Sequence, residues 1–182
     1  EAASVAKRMR EDLPRIIEQT LDLNDSIIRV AKRLLPAEHI FYIGRDIDWP
    51  ICIEGSLKLK EISYIHSEAY AAGELKHGTI SLVTEGTPVI ALATAERVCE
   101  KTISGMREVH SRGAYLVALT TPDLAKKYQF PCDELLVLPS TEGLLAPFPS
   151  VTAMQMLAYH VSALKGLDVD KPRNLAKSVT VE

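Results

Sequence analysis

Only three of the 182 residues are cysteine, Cys52, Cys99 and Cys132, and no two of them form a C-x-x-C pair. An odd, dispersed set argues against a disulfide framework or a thiolate metal site. Cys52 sits in an apolar run, Cys99 in a helical stretch and Cys132 between Pro131 and a strand, which suits buried or incidental thiols in a reducing cytoplasm. The chain also has no apolar run long enough for a membrane span, and its beginning has no cleavable signal pattern, so it reads as soluble and cytoplasmic. Lys and Arg number 21 against 24 Asp and Glu, a net charge of −3 with the charges dispersed. Without a basic stripe and interleaved aromatics, nucleic acid is excluded as an expected partner. Internal repeats, low-complexity tracts and the Walker and dinucleotide fingerprints are missing too, so no nucleotide follows from the sequence. The five histidines have no metal-ligand spacing, and no Ser-His-Asp or Cys-His set can be assembled from sequence neighbours.

What is present is an alternation. Apolar residues recur at helical spacing from Ala2 to Leu35; Pro14 is expected to open a second helix and Asn24-Asp25-Ser26 to cap a third. Four apolar runs then read as strands: His39 to Ile43, Pro88 to Thr94, Ala114 to Thr120 and Glu134 to Leu138. Between and after them lie helical stretches at Ile51 to Ile65, Glu96 to Arg112, Asp123 to Tyr128 and Ser150 to Leu164. Strands apolar throughout and separated by helices imply an α/β fold, with a parallel sheet of four to five strands covered on both faces. A single domain is expected over residues 1–182: N-terminal helices over 1–36, the α/β core over 37–166 and an irregular tail over 167–182. Ligands of such sheets bind at the carboxyl ends of the strands, here the loop from Gly44 to Pro50, where Gly44 allows a tight turn.

Glu54, Lys58 and Glu61 are spaced i, i+4 and i+7, so one helix face carries all three. On an arbitrary helix this is a solvent-exposed salt-bridge ladder. Apolar flanks and the loop just before the helix point instead to a partly buried carboxylate beside a lysine, a reasonable general base. His77 lies in a glycine-bounded turn, ELKHG, where local hydrogen bonding is the plainer role. Lys177 is one lysine in a polar tail.

The block EGSLKLKEISYIHSEAYAAGELKHG, Glu54 to Gly78, resembles the signature of the second sugar-isomerase (SIS) subdomain of the glutamine–fructose-6-phosphate aminotransferases. The tail RNLAKSVTVE, Arg173 to Glu182, resembles that family's C-terminus, and the likeness extends upstream to Ala158. The resemblance implies an SIS-type fold acting on fructose 6-phosphate and glutamine-derived ammonia to give glucosamine 6-phosphate. It implies that Glu61 shuttles a proton between C1 and C2, with Lys58 as its charge partner and Glu54 supporting the set. His77 would assist ring opening from a neighbouring subunit of a homodimer, Lys177 would form a Schiff base with the open-chain ketose, and Ala176 would touch the sugar through its backbone. No metal or organic cofactor is implied, because an amine and a carboxylate suffice for the chemistry.

The chain departs from that family in several places. No cysteine is placed for glutamine hydrolysis, and the Ser/Thr-rich phosphate cradle of the first SIS subdomain has no counterpart here. The chain is therefore expected to be the catalytic half of an enzyme whose glutaminase and first SIS domains lie elsewhere. Asp46 stands where the family tends to have Gly, and Thr79 where Pro is usual. The alternative is a non-catalytic SIS module that binds phosphosugar or assembles subunits, with the polar helix face turned to solvent or a dimer contact.

Overall fold

The computed structural model describes residues 2–141 and 143–175. Five parallel strands, β1 (His39–Gly44), β2 (His66–Ala71), β3 (Pro88–Ala93), β4 (Tyr115–Thr120) and β5 (Glu134–Val137), form one sheet in the order β2-β1-β3-β4-β5. The helices are α1 (Ala2–Leu21), α2 (Asn24–Leu34), α3 (Asp48–Ser63), α4 (Glu96–His110), α5 (Pro122–Lys127) and α6 (Pro147–Leu164).

The central strands alternate between two apolar clusters. Ile40, Tyr42, Ile90, Leu92, Val117 and Leu119 pack beneath α2, α3 and α6. Phe41, Ile43, Val89, Ala91, Leu116 and Ala118 pack beneath α4 and α5. Burial on both faces is why these strands read as continuous apolar runs. Helix α2 contributes Ile27, Val30, Ala31 and Leu34, one stripe at helical spacing, to the first cluster. Helices α3 and α6 meet closely at Gly55, where an added Cβ would lie 2.2 Å from Met154 Sδ.

Three expectations are corrected. Pro14 opens no second helix: it lies inside α1, where the missing N–H leaves the Arg10 carbonyl without its i+4 donor. Asn24-Asp25-Ser26 supplies no side-chain cap to α2; Asn24 Oδ1 pairs instead with His160 Nε2 of α6 at 2.8 Å. The strand β2, HSEAYA, was not among the four apolar runs. As an edge strand it is covered unevenly, with Ser67 the buried position, and it is tied to α3 by polar contacts. Ser67 Oγ donates to the Ser56 carbonyl at 2.8 Å and lies 3.0 Å from Ser56 Oγ.

Strands β1 and β3 are neighbours, yet the chain leaves them in opposite directions, toward β2 and toward β4. The crevice between their carboxyl ends is the topological switch point, the usual ligand position in such sheets.

Candidate functional site

Helix α3 is the crossover from β1 to β2, so it starts at the carboxyl ends of the strands and finishes at their amino ends. Along it the polar face forms as expected. Lys58 Nζ donates to Glu61 Oε2 at 2.8 Å and lies 3.7 Å from Glu54 Oε1. The three side chains are half-buried, between the packed face of α3 and an exposed apolar row of Trp49, Ile53 and Leu57. The hydrogen bond from Lys58 to Glu61, followed by the charges of Glu61 and Glu54, holds the ammonium above its ordinary range. Lys58 thus joins the two carboxylates into one ion-paired set along α3.

The tail approaches the same end of α3. Tyr64 ends the helix in a left-handed conformation, φ 61°, three residues beyond Glu61. Its hydroxyl accepts the backbone N–H of Arg173 at 2.8 Å, and the Arg173 guanidinium lies 4.1 Å from its ring centroid. Ala176 and Lys177 lie outside the described residues.

The loop after β1 and the Glu61 end of α3 do not form one site. At 1.5 Å per residue, Glu61 stands about 20 Å along the helix from Asp48. His77 is also at the far end: it is exposed, in a 3-10 turn (Leu75–His77) beyond the carboxyl end of β2. Within one chain it makes no contact with the Glu54–Lys58–Glu61 set among the described residues.

The switch-point crevice is already filled. Asp48, fully buried at the start of α3, accepts the N–H groups of Thr94 and Ala95 at 2.8 and 3.1 Å and the Thr94 hydroxyl at 2.5 Å. Burial pushes its carboxyl above the usual range, and the three hydrogen bonds pull it back. These are the donors ahead of α4 that a bound anion would use. The donors ahead of α4, beside the Gly44 loop, are thus occupied by the chain's own carboxylate. Gly44 serves not as a turn residue but as a close approach, since a Cβ there would meet the Asp48 carbonyl at 2.7 Å. Pro50 already lies inside α3. Asp46 does take the left-handed conformation, φ 57°, and pairs with Arg97 at 2.6 Å. Sequence reasoning missed Asp48; its signal was an acidic residue in the first turn of a helix that follows a strand.

The remaining candidates do not join the set. Burial pushes all three thiols up, Cys99 and Cys132 to about 11, so none is a thiolate at neutral pH. A cavity of about 490 Å³ opens at the amino ends of β1, β2 and β3, with His39, Phe41, His66 and Glu68 in its wall. Phe41 belongs to the cluster beneath α4, so this cavity is across the sheet from α3. No helix of the described residues is long and apolar enough to cross a membrane.

Residues 33–165 match the family model of the SIS domain. The chain is 48% identical over 171 residues to the glutamine–fructose-6-phosphate aminotransferase (isomerizing) of Brucella abortus, covering 94% of this chain and 28% of that protein. It is 49% identical over 170 residues to the enzyme of the same name from Caldanaerobacter subterraneus, covering 93% and 28%. The fold superposes on the C-terminal domain of glucosamine-fructose-6-phosphate aminotransferase from Francisella tularensis with a TM-score of 0.80 and 37% identity, covering 94% of this chain and 49% of that one. The chain therefore spans under a third of the length of the curated relatives it matches, and half of the solved domain.

Proposed function

The chain belongs to the SIS-domain family, and we propose from that premise that it is the isomerase half-domain of a glutamine–fructose-6-phosphate aminotransferase. The reaction is fructose 6-phosphate plus ammonia giving glucosamine 6-phosphate and water. The observation that carries the reading is the Lys58–Glu61 contact, one helical turn from the residue on which the approach to the tail is fastened.

Lys177 condenses with the C2 ketone of the open-chain sugar and releases water; ammonia then displaces the lysine, leaving an imine at C2. Glu61 takes the proton from C1 and returns it to C2, so that the C2 imine becomes an amine and C1 an aldehyde once its enol proton is lost. Lys58 keeps Glu61 oriented between turnovers, and Glu54 holds Lys58 from the other side. Ala176 meets the sugar through its backbone. His77 assists ring opening in a neighbouring subunit, which accords with its distance from Glu61 in its own chain and makes the working unit a homodimer. The reading places this chemistry in the cytoplasm, with ammonia and most of the phosphate grip supplied by glutaminase and first SIS domains in the longer protein.

The test is Glu61→Gln in the full-length enzyme. Loss of about a hundredfold or more in kcat with fructose 6-phosphate is expected; a wild-type rate would rule out Glu61 as the base. Borohydride reduction in the presence of fructose 6-phosphate should label Lys177, and labelling elsewhere removes its Schiff-base role.

A further inference from the structure

Three cations with no acidic partner converge one loop away from the closed crevice. Arg45 follows β1, Lys76 lies in the 3-10 turn after β2, and Lys101 lies on α4; with Ser104, the three line a cavity of about 120 Å³. None of the three side chains has an ion pair or hydrogen bond among the described residues, although acidic residues outnumber basic ones in the chain. The Arg45 Nε is buried without an acceptor. That leaves part of a charged guanidinium buried without compensation inside the protein. A Cβ on Gly73 would stand 2.6 Å from Arg45 Nη2, so the glycine leaves room for the fork.

The geometry points to this cavity as an oxyanion site for a phosphate group. The volume equals about four waters at roughly 30 Å³ each, room for a tetrahedral anion but not for a nucleotide. Arg45 offers a planar fork, Lys76 and Lys101 two mobile point charges and Ser104 a hydroxyl, which suits a dianion with several acceptor oxygens. Glu108 also lines the cavity; its carboxylate opposes an anion and sets the affinity below what three cations alone would give. Asp48 sharpens the assignment: the Thr94 and Ala95 donors are spent internally, whereas Arg45, Lys76 and Lys101 have no ion pair among the described residues. The site stands on the cavity and its unpaired cations alone, and it is distinct from the Glu61 end of α3.

Inorganic phosphate titrated into the isotope-labelled chain at neutral pH, against chloride of matched ionic strength, reads the site directly. Saturable shifts at the amides of Gly73, Lys76, Ser104 and Gly105 are expected. Arg45→Gln should weaken binding by at least about tenfold and Lys101→Gln by about threefold. Glu108→Gln should tighten it by about threefold, a gain that misfolding cannot produce. Fructose 6-phosphate binding at least as tightly as inorganic phosphate, with fructose inert, identifies a phosphoester as the occupant; preference for inorganic phosphate identifies the free ion. Shifts no larger than those from chloride, or affinity unchanged in Arg45→Gln and Glu108→Gln, overturn the site. A dimer that dissociates in Arg45→Gln without any phosphate binding also overturns it, in favour of an acidic side chain from a second copy.

Discussion

Lys58 and Glu61 are joined at 2.8 Å within a single turn of α3, and their half-buried contact sets what each substitution there should do. A partly exposed pair on one helix contributes about 0.3–1 kcal/mol. Lys58→Gln should therefore lower unfolding free energy by no more than about 1 kcal/mol while reducing turnover of the full-length enzyme far more. The raised Lys58 pKa fixes the pH dependence: the pair's contribution is fully present below the ordinary lysine value of 10.5 and fades as pH rises through the higher folded value. Denaturant titrations of wild type and Lys58→Gln should thus differ by a constant amount through the neutral range and converge in alkali.

Asp48 should matter for stability rather than turnover. Asp48→Ala strands two part-buried N–H groups and a hydroxyl, an expected cost of about 1–3 kcal/mol in urea unfolding. Asp48→Asn keeps an acceptor for Thr94 and Ala95 and can donate to the Thr94 hydroxyl, so it should cost less. The carboxyl's pKa is raised on folding, so the folded state holds that proton more tightly, and Asp48's own titration lowers stability as pH rises from 3.8 through its folded value. Asp48→Asn should remove that acid-side slope; an unchanged slope would assign it to other carboxylates.

Gly55→Ala should destabilise the packing of α3 on α6 by about 1–3 kcal/mol, because the new methyl overlaps the buried Met154 side chain. Pairing it with Met154→Ala in a double-mutant cycle should recover part of the loss. Additive costs in thermal unfolding would show that the two residues do not compete for the same space.

His160 ties α6 to Asn24 of α2 and is held below its ordinary pKa by burial. A depressed imidazole stays neutral in the folded chain while the unfolded chain protonates. Stability is therefore full above the ordinary value of 6.5 and falls as pH drops below it. Melting temperatures measured between about pH 5 and pH 7 should decline more steeply for wild type than for His160→Gln.

The local pattern of the chain determined a good deal on its own. Runs such as FYIG and VIALA can be satisfied only between two apolar layers, and the spacing of Glu54, Lys58 and Glu61 puts them on one face of any helix they join. The motif block and tail carried the family. Burial of Cys52 and Cys99 likewise followed from their apolar and helical settings, whereas Cys132 is only partly buried.

Tertiary structure decided what depends on residues far apart in the chain. Strand β2 exists because its backbone pairs with β1 and Ser67 meets Ser56, neither of which leaves a periodic apolar trace. Asp48 becomes a plug only when α3 begins beside the exit of β3, 46 residues later. Arg45, Lys76 and Lys101 are three ordinary cations until two loops and a helix bring them around one cavity. Apolar periodicity reports burial, which is a local quantity averaged over neighbours. Pairings between single polar groups are decided by position in space, and the chain specifies that only by folding.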